Sequence, residues 1–300
     1  MQIWGNVLCL PSVNLILKMR IITLKSEMSH WRQGLSSQSS VGFVPTMGAL
    51  HHGHLSLVSQ ALIDNDLAVI SIFVNPTQFN NSADLEVYPR TFEADTSLLE
   101  TLPHDRIVLF APRAEDLYDG PPLSKRWEFG SIARVMEGEF RDGHFDGVGT
   151  VLQLLFEAVS PSKSYFGEKD YQQLLIVKSL ADQLGNTNEI IGCPIYREVS
   201  GLAMSSRNQR LSEQQKVQAT LLYQIMKYIK EHLNTMSWAE LKSWAELQFE
   251  KDKDWQLEYL TLADSQTLEK KDDYSKDKPL RIFIAAHLGT VRLIDNMAVN

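Results

Sequence analysis

Two cysteines, Cys9 and Cys193, are too few for a disulfide framework or a zinc ligand set. A reducing compartment follows, and cytoplasmic is the expected localisation. No apolar run reaches the roughly 18 residues that a membrane-spanning helix needs, so no membrane partner is expected. A basic surplus is lacking as well: the formal net charge is −8. Surfaces that coat nucleic acid carry the opposite sign. No nucleic-acid partner is expected, although a local basic pocket for one nucleotide remains compatible. Met1–Lys18 lacks the basic start of a secretory signal, and Asn6, Pro11 and Asn14 interrupt its apolar character. Met19-Arg20-Ile21-Ile22-Thr23-Leu24 reads as the natural start of a first strand, so residues 1–18 are expected to lie outside the fold. The chain also has no Ser-His-Asp order, no Gly-x-Ser-x-Gly and no Walker string.

What is present is organised around Pro45-Thr46-Met47-Gly48-Ala49-Leu50-His51-His52-Gly53-His54. The apolar run Val41-Gly42-Phe43-Val44 precedes it and reads as a buried parallel strand. Leu55, Val58, Ala61 and Leu62 follow at helical spacing. A second apolar run, Leu67 to Val74, completes a strand–helix–strand unit. Ligands of such units sit beyond the carboxyl ends of the strands, where the helix N-terminus favours an anion. Gly48 and Gly53 allow close backbone approach, and His51 and His54 can point into one space. His-x-Gly-His alone is a weak string, and a solvated histidine pair is its competing reading. Its place between strand and helix, with three polar clusters downstream, favours a phosphate site.

The second strand stops at Asn75-Pro76, a turn signal, which puts Gln78 on a loop at the same sheet edge. Its amide suits a hydroxyl or carboxylate. A helix to about Leu102 carries Asp95, and Ile107–Phe110 reads as the next strand. Residues 111–140, broken by Pro112, Pro121 and Pro122, read as an insertion over the sheet edge or a lid. Arg141 and His144 precede a predicted helix over 147–159, where either anion binding or simple capping fits. Ser164-Tyr165-Phe166 is a short strand ending at Gly167-Glu168-Lys169-Asp170-Tyr171-Gln172-Gln173. Lys169 suits phosphate oxygens, Asp170 a metal or a ribose hydroxyl, and Gln173 shares the face of Lys169. Met204-Ser205-Ser206-Arg207-Asn208 offers two hydroxyls and a guanidinium in succession. Beyond it lie a long helix over 212–232, a second helix containing two Ser-Trp-Ala-Glu-Leu strings, and alternating strands near 255–262, 281–286 and 291–294. Few chemical groups stand out there. The division expected is 1–18 as extension, 19–194 as a nucleotide-binding domain and 195–300 as a smaller α/β domain.

Positive and neutral donors dominate the four clusters. They suit charge stabilisation on a triphosphate during in-line attack, where positioning and electrostatics supply most of the catalysis.

From Met19 to Asn296 the chain resembles the pantoate–β-alanine ligases. The matching strings are the Pro45–His54 stretch, Phe73-Val74-Asn75-Pro76-x-Gln78-Phe79, His144-Phe145-x-Gly147-Val148, Tyr165–Gln173, Gly201–Asn208 and Arg292-Leu293-Ile294-Asp295-Asn296. The resemblance implies a Rossmann-like parallel-sheet nucleotidyltransferase domain over 19–194 that binds ATP and pantoate, with a smaller C-terminal α/β domain over 195–300 that closes as a lid with the Met204–Arg207 clamp. It implies an ATP-dependent ligase that joins pantoate to β-alanine through pantoyl adenylate, releasing pyrophosphate and AMP. It places ATP against Met47, Gly48, Ala49, Leu50, His51, His52, Gly53, His54, Gly167, Glu168, Lys169, Asp170, Tyr196, Met204, Ser205, Ser206 and Arg207. His54 would donate a proton beside His51, and Lys169 would meet the phosphates. Gln78 and Gln173 would hold pantoate, with Gln78 also meeting β-alanine. Mg²⁺ would bridge the phosphates, with Asp95 in its outer coordination sphere, and the assembly would be a homodimer. Two rivals remain: a related nucleotidyltransferase that stops at the activated intermediate, and a nucleotide-binding module without turnover.

Overall fold

The computed structural model describes residues 19–79, 85–185 and 187–300. The expectation for Met1–Lys18 lies outside the described residues.

Six parallel strands form the larger sheet: β1 (Arg20–Ile22), β2 (Val41–Thr46), β3 (Leu67–Ile72), β4 (Ile107–Phe110), β5 (Lys163–Gly167) and β6 (Glu189–Cys193). Their order is β1-β4-β3-β2-β5-β6. The strands read as near-continuous apolar runs because helices cover both faces. Alternation divides them: Val41, Phe43, Val69, Val108 and Phe110 pack with the helices His144–Val159 and Tyr171–Leu184. Val44, Ala68, Ile70, Ile107 and Leu109 pack with the helices His52–Asp64 and Phe92–Leu99. Each fully buried aliphatic side chain contributes roughly 1.5–3 kcal/mol, so the core fixes the strand register. The chain leaves β2 toward β3 and β5 toward β6, in opposite directions. The carboxyl ends of β2 and β5 therefore flank the topological switch point, where ligands of such sheets bind.

The smaller sheet is antiparallel: β7 (Trp255–Asp264), β8 (Leu280–Leu288) and β9 (Val291–Ala298). The helices Leu221–His232 and Trp238–Phe249 share its core. Met136, Ala263, Leu268 and Phe283 form a small apolar joint between the two parts, with Tyr171 and Tyr259 against it.

Two expectations change. The helix expected over 212–232 is two, Glu213–Ala219 and Leu221–His232. Thr220 interrupts it by turning its hydroxyl back to the Val217 carbonyl at 2.7 Å. Segment 111–140 contacts the helix His144–Val159, where backbone N–H groups of Lys125 and Trp127 donate to Thr150 and Asp146. The helix expected from Gly147 begins at His144, so His144 is a helical residue.

Candidate active site

The loop after β2 is shaped by a carboxylate from the next helical layer. Asp95, 2 % exposed, accepts the backbone N–H of Ala49 at 3.0 Å and of Leu50 at 2.7 Å. Thr91 donates to the same carboxylate at 3.1 Å. This network holds Ala49 at φ +49°, a conformation costly for a residue with a Cβ. Both oxygens of this carboxylate therefore bond to the loop, which gives Asp95 a positioning task.

The helix His52–Asp64 starts directly after this loop, with His51 as its cap residue. The His51 backbone N–H donates to Nδ1 of His54 at 3.3 Å. An accepting Nδ1 leaves the proton of neutral His54 on Nε2. The two rings stack with centroids 4.0 Å apart. Gly53 makes room for this, because a Cβ there would lie 2.9 Å from the His51 ring. Burial lowers the His51 pKa to about 4, aided by the Lys169 ammonium. Burial lowers that of His54 to about 3, with His51 and Lys169 adding to it. Both imidazoles are neutral N–H donors at neutral pH.

On the neighbouring loop, the Gln78 amide meets the Met47 sulfur at 2.7 Å and accepts from Asn75 at 3.2 Å. Its backbone carbonyl accepts from His144 Nδ1 at 2.9 Å and from Arg141 at 3.4 Å. These two residues thus hold the Gln78 loop, a task the anion-or-capping alternatives did not include. Burial, then the Arg141 charge, lowers the His144 pKa to about 3. The helix His144–Val159 approaches this loop so closely that a Cβ on Gly147 would lie 2.3 Å from the Thr77 carbonyl.

After β5 the turn Glu168–Asp170 carries Lys169, whose ammonium stands 3.8 Å from the Asp170 carboxylate. The Ser205–Arg207 turn closes the opposite side. Ser205 accepts the Arg207 N–H at 3.3 Å, and Ser206 donates to the Ala49 carbonyl at 3.2 Å. Tyr196 contributes its carbonyl to the Met204 N–H at 3.0 Å.

One continuous cavity is lined by Met47, His51, Gly53, His54, Gln78, Gly167, Lys169, Asp170, Gln173, Tyr196, Met204, Ser205, Ser206 and Arg207. Gly48, Ala49, Leu50, His52 and Glu168 are not among its lining residues. Ala49 and Leu50 are buried in the turn below it, and His52 is exposed. Glu168 turns away to Arg281 at 3.1 Å. Among the described residues no three His, Cys, Asp or Glu side chains gather to hold a metal ion.

The C-terminal sheet supplies groups that sequence reasoning missed. Tyr259, Asp295 and Asn296 line the same cavity. Arg292 and Arg281 reach across the joint to Glu137 and Glu168. The available signal was the Arg292–Asn296 string, in which Arg292, Asp295 and Asn296 flank the apolar pair Leu293-Ile294 in a short strand. Asn208, by contrast, is buried and donates to the Ala203 carbonyl at 3.0 Å.

A family model described as pantoate–β-alanine ligase matches residues 20–298. Pantothenate synthetase from Christiangramia forsetii is 50 % identical over 265 residues, 88 % of this chain and 93 % of its own length. That from Flavobacterium psychrophilum is 46 % identical, covering 88 % and 94 %. The crystal structure of pantothenate synthetase from Thermus thermophilus aligns with a TM-score of 0.86 at 39 % identity, covering 94 % of this chain and 99 % of that one. The Francisella tularensis pantoate–β-alanine ligase, complexed with β,γ-ATP and β-alanine, aligns with a TM-score of 0.74 at 36 % identity, covering 94 % and 98 %.

Proposed function

Because the chain belongs to the pantoate–β-alanine ligase family, we propose that the cavity at the β2/β5 switch point is where its residues divide the work of that reaction. The enzyme joins pantoate to β-alanine with ATP. A pantoate carboxylate oxygen bonds to the α-phosphorus while the bond to pyrophosphate breaks. The neutral β-alanine amine then bonds to the acyl carbon of pantoyl adenylate, AMP leaves with the electrons of the acyl C–O bond, and the nitrogen gives up one proton.

The observation that carries the assignment of roles is the convergence of the stacked imidazoles, Lys169, both glutamines and the Ser205–Arg207 turn on one cavity. His54 donates a hydrogen bond through Nε2 to an oxygen of the α-phosphate, with His51 stacked beside it. A neutral donor does this without losing its own proton in the ground state. Lys169 takes up negative charge on the phosphates, and Arg207 with the Ser205 hydroxyl closes on them from the opposite side. Gln78 and Gln173 hold the pantoate hydroxyls and carboxylate, and Gln78 also meets β-alanine. Tyr196 borders the adenine. Gly48–Leu50 serve ATP indirectly, by setting the loop that carries the histidines.

Among the described residues no all-protein metal cage forms. Mg²⁺ commonly binds through phosphates and one or two carboxylates. We propose that it enters with the triphosphate, and Asp170, half-exposed on the cavity wall, is the carboxylate placed to meet it. Residues 19–194 and 195–300 are proposed as the two domains, supported by their separate sheets and cores. No helix among the described residues is long and apolar enough to cross a membrane. A cytoplasmic location and a homodimer complete the proposal, the latter checked by sedimentation.

Pyrophosphate exchange into ATP tests the reading. Exchange is expected with pantoate alone, and AMP release only after β-alanine is added. A nucleotidyltransferase that stops at the adenylate would exchange without responding to β-alanine. A binding module would do neither.

A further inference from the structure

The string Arg292–Asn296 on β9 has no part in the roles above, yet its last residue is 2 % exposed and touches the phosphate-binding turn. A carboxamide offers two donors and one acceptor, and Asn296 uses all three. Its Nδ2 donates to the Glu168 carbonyl at 2.9 Å and to the Lys169 carbonyl at 2.8 Å. Its Oδ1 accepts from the Arg281 guanidinium. Arg281 in turn reaches the Glu168 carboxylate at 3.1 Å and lies 3.8 Å from the centroid of the Tyr171 ring. Asn296 is itself held, because its backbone N–H donates to Asp295 at 2.8 Å. Asp295 takes two parallel bonds from Arg197, at 2.6 and 2.9 Å.

We propose that Asn296 is a positioning residue for Lys169: its two N–H donors fix the carbonyls of Glu168 and Lys169, and thereby the aim of the Lys169 ammonium. The proposal rests on the reading of Lys169 as the phosphate-binding cation. It also gives the C-terminal strand a task in the chemistry, since the lysine is aimed only where β9 is docked. Misplacing a charged group by an ångström or so costs up to about 100-fold in rate.

Asn296→Asp tests this, because it keeps an acceptor for Arg281 and removes both N–H donors. Pyrophosphate exchange with pantoate is expected to fall about 10- to 100-fold, with the KM for pantoate unchanged. In a Lys169→Ala background the same substitution is expected to cost nothing further, since residues acting through one another are non-additive. Asn296→Ser, which retains one small neutral donor, is expected to recover part of the rate and stands in if the aspartate variant does not fold. Equal losses in the two backgrounds, or no loss in either Asn296 variant, would overturn the positioning role. An unchanged rate in Lys169→Ala alone would instead remove the premise, which is a separate failure.

Discussion

Glu137 and Arg292 face each other across the two parts of the chain in a bidentate pair, with both N–H···O distances at 2.8 Å. They are 155 residues apart in sequence. Tyr259 adds a third bond to Glu137 at 2.9 Å. Burial opposes the charge on Glu137, but Arg292 outweighs it and holds the carboxyl at about 2. Arg292 also bonds to Glu258 on β7, so the pair belongs to a small network.

Replacing Glu137 by Gln removes the charge and leaves Arg292 with Glu258 as partner. The expected cost is about 2 kcal/mol, the range for hydrogen bonds to charged groups. Urea denaturation of wild type and variant at pH 7 measures it. Folding stability equal to wild type would show that the pair contributes nothing net.

Contacts of this kind explain what the sequence left hidden. The strands of the larger sheet were legible because burial on both faces leaves continuous apolar runs. The loops after β2 and β5 were legible because polar residues and glycine follow such runs directly. Gln173 stood out by sharing a helical face with Lys169, but nothing local showed the task of its neighbour Gln172, which the fold turns toward the carbonyls of Ile132 and Val135, at 2.7 and 2.8 Å. The task of Arg281, and that of Asn296 within its family string, could not be read locally because their partners lie 113 to 128 positions away. No local pattern carries that pairing.

The neutral state of the paired imidazoles is directly observable. Ring resonances of His51 and His54 in the free enzyme are expected to show no titration between pH 8 and 5, since their pKa values lie near 4 and 3. Heteronuclear NMR of labelled histidine reads this, and a midpoint near 6.5 for either would reject the neutral-donor assignment. His54→Ala is expected to slow adenylate formation roughly 100-fold or more, the loss typical of one transition-state group. His54→Gln, which keeps a neutral N–H, should recover part of it.

Acid should weaken the fold through a buried histidine. His144 is 5 % exposed, and its pKa falls from 6.5 to about 3. The unfolded chain therefore binds a proton near pH 6.5 that the folded chain refuses until about pH 3. Its contribution is full above 6.5 and is lost progressively as pH falls toward 3. Between pH 7 and 5 one such histidine forfeits about 2 kcal/mol. Urea midpoints at the two pH values are expected to show the fall, and His144→Gln should make it smaller. An undiminished slope in that variant would mean that His144 is not the group responsible.

Asp95 separates a loop-holding role from a metal role. Its two oxygens serve the N–H groups of Ala49 and Leu50, and an amide in its place must turn an NH₂ toward one of them. Asp95→Asn is therefore expected to lower stability by about 1–3 kcal/mol, the cost of leaving a buried donor unsatisfied. Relaxation of the Gly48–Leu50 turn should also displace the stacked histidines, so exchange activity falls at least about tenfold. Raising Mg²⁺ well above saturation distinguishes the two roles. A carboxylate that holds the ion would lose affinity for it, and excess metal would restore the rate. A carboxylate that holds the loop leaves a defect that metal cannot repair, so the rate is expected to stay low at every Mg²⁺ concentration.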